Sequence, residues 1–112
     1  MFEVERRGDA CIVHVDEDLD IACKERLGAS VEAAEGVDSP RLIVVSLERC
    51  AYCDSSGLAE LLKAYKRLRQ RLVVVVPSGS QCRRIFEIAG LNAILQISPS
   101  IDSALLQSVT SD

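Results

Sequence analysis

The spacing of apolar residues along the chain switches repeatedly between strand-like and helix-like periods, and each switch delimits an element. Phe2-Glu3-Val4-Glu5-Arg6 alternates apolar with charged residues. Ala10-Cys11-Ile12-Val13-His14-Val15 follows after Arg7-Gly8-Asp9, which predicts an antiparallel hairpin turning at Gly8-Asp9. Residues 16–20 form an acidic connection, and Asp20 is placed to cap a helix with Cys23, Leu27, Val31 and Ala34 inward and Gly36 as its stop. After Asp38-Ser39-Pro40, the stretch Arg41-Leu42-Ile43-Val44-Val45-Ser46-Leu47 carries too few polar residues to be half exposed, so an interior strand is expected. Over residues 58–69, Leu58, Leu61, Leu62, Tyr65 and Leu68 share one helical face, with Glu60, Lys63, Lys66, Arg67, Arg69 and Gln70 turned away. Leu72-Val73-Val74-Val75-Val76 predicts a fully buried strand ending at Pro77. Ser78-Gly79-Ser80-Gln81 fits a capping box, with Ser78 as cap and Gln81 reaching back, ahead of Cys82, Ile85, Phe86 and Ala89 on a helix that Gly90 ends. Ala93-Ile94-Leu95-Gln96-Ile97 suits an edge strand. Pro99-Ser100 opens a last helix with Ile101, Leu105 and Val109 inward, before a polar tail expected to fray.

The order β, β, α, β, α, β, α, β, α defines an α/β fold. We expect a single small domain over residues 1–112, with a mixed, mostly parallel sheet of four to five strands, an N-terminal hairpin and about four helices. A chain of 112 residues supports one core, and its 48% apolar and 27% charged residues are ordinary for a globular protein. The net charge of −4 argues against nucleic acid as the main partner. No apolar run approaches the roughly 20 residues that span a bilayer, and the N-terminal residues lack a signal-peptide pattern, so a cytoplasmic, non-spanning protein is expected. Five cysteines, Cys11, Cys23, Cys50, Cys53 and Cys82, are an odd number without the density of a disulfide scaffold, which favours reduced, buried thiols.

The candidate site is Tyr52-Cys53-Asp54-Ser55-Ser56-Gly57-Leu58, between a strand and a helix. Short hydroxyl and carboxylate side chains there satisfy the first helical amides, stay partly exposed, and face the positive end of the helix dipole. Sites in such sheets lie beyond the strand C-terminal ends, and Asp20, after the second strand, reaches the same end. Other chemistry fits less well. The acidic residues 16–20 lack the mid-loop glycine and distal glutamate of a calcium loop. His14 is the one histidine, with a structural or surface role expected, so a Ser-His-Asp arrangement on Ser55 or Ser56 has a single unplaced partner. No Gly-rich nucleotide loop is present, and an enzyme is not expected. Cys50-Ala51-Tyr52-Cys53 is formally a CxxC, the mark of a redox dithiol or half a zinc site. The first cysteine lies in the strand tail, and the other Cys and His residues are scattered singly, so core thiols, and no metal, are expected.

Asp54-Ser55-Ser56-Gly57-Leu58, preceded by Tyr52-Cys53, resembles the phosphorylation motif of the STAS domain, a module shared by sulfate transporters and anti-sigma factor antagonists. Asp18-Leu19-Asp20, the stretch from Arg83 through Leu91, and Ser103-Ala104-Leu105 agree in the same order, so the likeness spans essentially the whole chain. In the antagonist branch it implies phosphorylation of the serine after the aspartate, here Ser55, with Ser56 as the second candidate. Asp20, Asp54, Ser56 and Gly57 would support the switch and contact the partner. That partner would be an anti-sigma factor that is also a serine kinase, with a serine phosphatase reversing the modification. The unphosphorylated form would bind it and free the sigma factor, and the chain is expected as a monomer or weak dimer. Free amides of the helix would hold the phosphate. Two departures stand out: the 16–20 loop lacks the usual glycine before its acidic residue, and Cys50 and Cys53 occupy commonly aliphatic positions. The resemblance leaves an alternative within the family, an accessory subunit of a lipid-transporting ABC system or a stress-signalling assembly without an obligatory phosphate switch. A CxxC redox protein is the alternative outside it.

Overall fold

A computed structural model describes residues 2–36 and 40–106. The strands are β1 (Glu3–Arg7), β2 (Ala10–His14), β3 (Leu42–Ser46), β4 (Leu72–Val75) and β5 (Gln96–Ser98), and they lie side by side in chain order. β1 and β2 are antiparallel and every later pairing is parallel. The helices are α1 (Lys24–Glu35), α2 (Ser55–Leu68), α3 (Gln81–Ile88) and α4 (Ile101–Leu105). Gly8 turns the hairpin at φ 65°, a left-handed conformation that costs glycine little. The exposed edge strand β1 carries Glu3, Glu5, Arg6 and Arg7, which discourages pairing with another sheet.

Both faces of the central strands are covered, which is why their sequences read as continuous apolar runs. Alternate residues divide between two clusters. Cys11, Val13, Ile43, Val45, Leu72 and Val74 face a large core filled from α1, α2 and α3 by Leu27, Val31, Leu61, Ala64, Leu68, Cys82 and Phe86. Ala10, Ile12, Leu42, Val44, Val73 and Val75 face a smaller cluster closed by Ala104, Ile101 and Leu105 of α4. Val109 and residues 108–112 lie outside the described residues.

Several boundaries differ from those expected. α1 begins at Lys24, with Cys23 at its cap and no side-chain cap bond. The Asp20 carboxylate instead accepts from Ala22 N at 3.0 Å, closing a separate turn that swings Cys23 into the core. Gly36 follows α1 at φ −80°, without the left-handed turn of a glycine stop. Ser78 does not cap α3. Gly79 reverses the chain at φ 76°, and Ser80 takes the cap, accepting from Arg83 N at 3.1 Å. Gln81 is therefore the first helical residue and sits too early to reach back. Ser80→Ala is expected to cost about 1 kcal/mol, and Ser78→Ala less than about 0.5 kcal/mol, in urea unfolding. On α2 the buried line is Gly57, Leu61, Ala64 and Leu68, with Leu58, Leu62 and Tyr65 only half-buried. Ala89 is exposed, and Gly90, at φ 75°, leads into a 3-10 turn over Leu91–Ala93 that delays β5 to Gln96.

Candidate functional site

Leu19 and Cys53 form a parallel bridge, with Leu19 N donating to Tyr52 O at 2.8 Å and Asp54 N to Leu19 O at 3.0 Å. The segments that follow β2 and β3 therefore continue side by side past the sheet, and one residue beyond the bridge stand Asp20 and Asp54. This places Asp20 at the same end as the α2 motif, as its position after β2 suggested.

Asp54 is the cap of α2. Its backbone is extended, at φ −106° and ψ −179°, and its Oδ1 accepts from Ser56 N at 2.9 Å and Gly57 N at 3.0 Å. Its carbonyl takes Leu58 N at 3.0 Å. Removing the cap by Asp54→Ala is expected to cost about 1 kcal/mol, while Asp54→Asn, an equally good cap, stays close to wild type in the same unfolding measurement. These bonds revise one expectation: the Ser56 and Gly57 amides are occupied by Asp54, so a phosphate on Ser55 does not inherit them. Ser55 is the first helical residue and is exposed, whereas Ser56 is half-buried.

Gly57 is buried because α2 crosses directly over the Leu19 segment. A Cβ on Gly57 would lie 2.5 Å from Leu19 O and 2.6 Å from Leu19 Cγ. Leu19 itself is completely buried and received no role from sequence patterning, although it ties the segments after β2 and β3 together. The neighbouring acidic loop is anchored by Glu17, which accepts from Arg26 at 2.6 and 2.8 Å. The guanidinium holds the Glu17 carboxyl below its usual range through those hydrogen bonds. Ile21 and Tyr52, 68% and 46% exposed, present apolar surface on the same two segments.

The basic side of α2 is largely engaged within the molecule. Arg67 pairs with Glu35, Lys63 lies 3.8 Å from Glu60, and the Arg69 guanidinium stands over the Tyr65 ring, 5.6 Å from its centre. The one histidine is far in topology from Ser55. His14 bonds Glu5 at 2.7 Å and lines a hollow with Ser46 and Ile101 on the α4 face, opposite the face that α2 covers.

The scattered cysteines do not stay apart. Cys82, in the first turn of α3, meets Cys50 and Cys53, giving Sγ–Sγ distances of 3.9 Å for Cys50–Cys53, 3.6 Å for Cys53–Cys82 and 3.8 Å for Cys50–Cys82. All five cysteines are free and buried. Hydrogen bonds from the Cys53 and Cys82 thiols draw Cys50 down from the usual thiol range, and the same contacts with Cys50 push Cys53 and Cys82 up.

A mostly parallel α/β sheet carrying an Asp-Ser-Ser-Gly cap beyond its third strand, with an acidic loop beside it, agrees with the STAS resemblance. A STAS domain family model matches residues 1–104, and the chain belongs to that family. The anti-sigma-B factor antagonist of Listeria monocytogenes is 32% identical over 95 residues, which cover 83% of this chain and 82% of the relative. An anti-sigma factor antagonist from Mycobacterium paratuberculosis has a solved structure with TM-score 0.82 and 26% identity, covering 94% of this chain and 90% of that one. The Bacillus cell fate determinant SpoIIAA in its phosphorylated form superposes with TM-score 0.63 at 20% identity, covering 94% and 96% of the two chains, a likeness of fold. Among the described residues, no helix is long and apolar enough to cross a membrane.

Proposed function

We propose that the chain is an anti-sigma factor antagonist whose binding surface is switched by phosphorylation of Ser55. Unmodified, it binds an anti-sigma factor that is also a serine kinase, and the sigma factor is released. Phosphorylated, it no longer binds, until a serine phosphatase restores the hydroxyl. The observation that carries this reading is the exposure of Ser55 on the first turn of α2, directly after the Asp54 cap. The relatives named as antagonists support the partner class. Asp20, Asp54, Ser56 and Gly57 shape the surface around the acceptor, and Ile21 and Tyr52 offer apolar contact beside it.

The chain acts in this scheme as substrate and ligand, with the kinase supplying the chemistry. The Ser55 hydroxyl oxygen takes the terminal phosphoryl group of ATP, its proton leaves to a base of the kinase, and ADP departs.

The test compares variants against a candidate anti-sigma factor with serine kinase activity. Ser55→Ala is expected to bind as wild type does and to resist modification, and Ser55→Asp to bind at least about tenfold more weakly. Equal binding by both variants, with wild type never modified, would return the chain to the accessory-subunit reading.

A further inference from the structure

The function proposed above leaves unused the three thiols gathered beneath the Asp54 cap. Cys50 comes from the loop after β3, Cys53 from the segment bridged to Leu19, and Cys82 from the first turn of α3. They are 5%, 1% and 1% exposed, and their sulfurs form a nearly equilateral triangle with edges of 3.6, 3.8 and 3.9 Å. Small apolar side chains packing a core have no need for three sulfurs in mutual contact.

The triangle has the dimensions of a thiolate coordination site. With metal–sulfur bonds of about 2.3 Å, sulfurs stand about 3.8 Å apart in a tetrahedral site and about 4.0 Å apart in a trigonal planar one. The observed edges need to change by a few tenths of an ångström at most. Two helix N-termini converge on the cluster, since Cys53 immediately precedes the cap of α2 and Cys82 is the second residue of α3. Their dipoles favour the negative charge of bound thiolates. Among the described residues the Cys, His and carboxylate groups that come together here are these three cysteines and no fourth. Burial leaves little access for water as a fourth ligand. Zinc prefers four ligands, whereas Cu(I) is selected by soft sulfur donors.

We propose that Cys50, Cys53 and Cys82 form a binding site for one soft, thiophilic cation of the Cu(I) class, held by three sulfurs. Binding replaces thiol protons, which pass to solvent, and involves no change of oxidation state. It would also tie the segment leading into the Asp54 cap to α3, independently of whether Ser55 is phosphorylated.

The test titrates the reduced full chain with Cu(I) under anaerobic conditions against a colorimetric chelator, with Zn(II) in a parallel arm. One equivalent of Cu(I) is expected to bind, with X-ray absorption showing three sulfurs at about 2.3 Å. Peptide mapping after alkylation should find Cys50, Cys53 and Cys82 protected by the metal and Cys11 and Cys23 unaffected by it. Cys82→Ala should weaken binding by at least the roughly 10- to 100-fold that loss of even an outer-shell partner costs, and Cys11→Ala should not. If Cys82→Ala fails to fold, the protection pattern in wild type decides. Failure of the wild type to compete for Cu(I), binding unchanged in a folded Cys82→Ala, or tighter binding of four-coordinate Zn(II) would each overturn the proposal.

Discussion

Phosphorylation of Ser55 is expected to lower affinity for the anti-sigma factor about a hundredfold while leaving the fold intact. A phosphate adds about 1.5 to 2 negative charges and three strong acceptor oxygens. It arrives beside Asp54, whose carboxylate already holds the Ser56 and Gly57 amides, with Asp20 on the adjoining segment. An interface that closed over a hydroxyl must then desolvate a dianion amid like charge. About 3 kcal/mol of such cost corresponds to roughly a hundredfold in affinity. Within the free chain the same phosphate is solvated, and its attraction to the helix dipole is worth only about 0.3 to 1 kcal/mol. Stability should therefore move by less than about 1 kcal/mol. Paired titrations and urea unfolding of the modified and unmodified protein check both halves. A large loss of stability on modification would show that binding fails through unfolding.

Gly57→Ala is expected to destabilise the protein by about 2 to 3 kcal/mol, against the ordinary preference of helices for alanine. In a helix interior, replacing glycine by alanine normally gains about 0.5 to 1 kcal/mol. Here the new Cβ would meet the Leu19 carbonyl oxygen at 2.5 Å, and that oxygen is fixed by its bond from Asp54 N. Backbone cannot give way as a side chain can, so α2 or the Leu19 segment must shift. Gly28, in α1, is the matched control. Its Cβ would meet only the end of the Glu60 side chain, at 2.7 Å from Oε2, and Glu60 can swing aside. Gly28→Ala should accordingly stabilise by up to about 1 kcal/mol. Chemical denaturation of the two variants should give opposite signs, and a stabilised Gly57→Ala would refute the close approach of α2 to Leu19. Because the same contact aligns Asp20 with Asp54, Gly57→Ala should also weaken partner binding.

The central strands β3 and β4 were legible because their burial is total. Runs such as Leu72-Val73-Val74-Val75 leave no polar residue to face water, and the structure covers both faces. The Asp54 cap was legible for the opposite reason: an acceptor directly before a helical period has one local use. What sequence periodicity missed depends on geometry that local patterns do not carry. Ser78 and Ser80 are equally good caps by type, and the left-handed turn at Gly79 selects between them. Cys82 lies 29 and 32 residues from its partners, and the three meet because β3 and β4 are parallel neighbours whose following loops leave the sheet at one end. The strand order, once drawn, held that signal. The Gly57–Leu19 contact had no comparable trace beyond the glycine itself.

The most direct test of the switch is a single reaction. The chain is incubated with a candidate anti-sigma factor kinase and ATP, the phosphate is mapped by mass spectrometry, and the purified product is titrated back against the same anti-sigma factor. The account predicts one phosphate, on Ser55, and binding about a hundredfold weaker than that of the unmodified chain. Phosphate on another residue, or a Ser55-phosphorylated chain that binds undiminished, would contradict it.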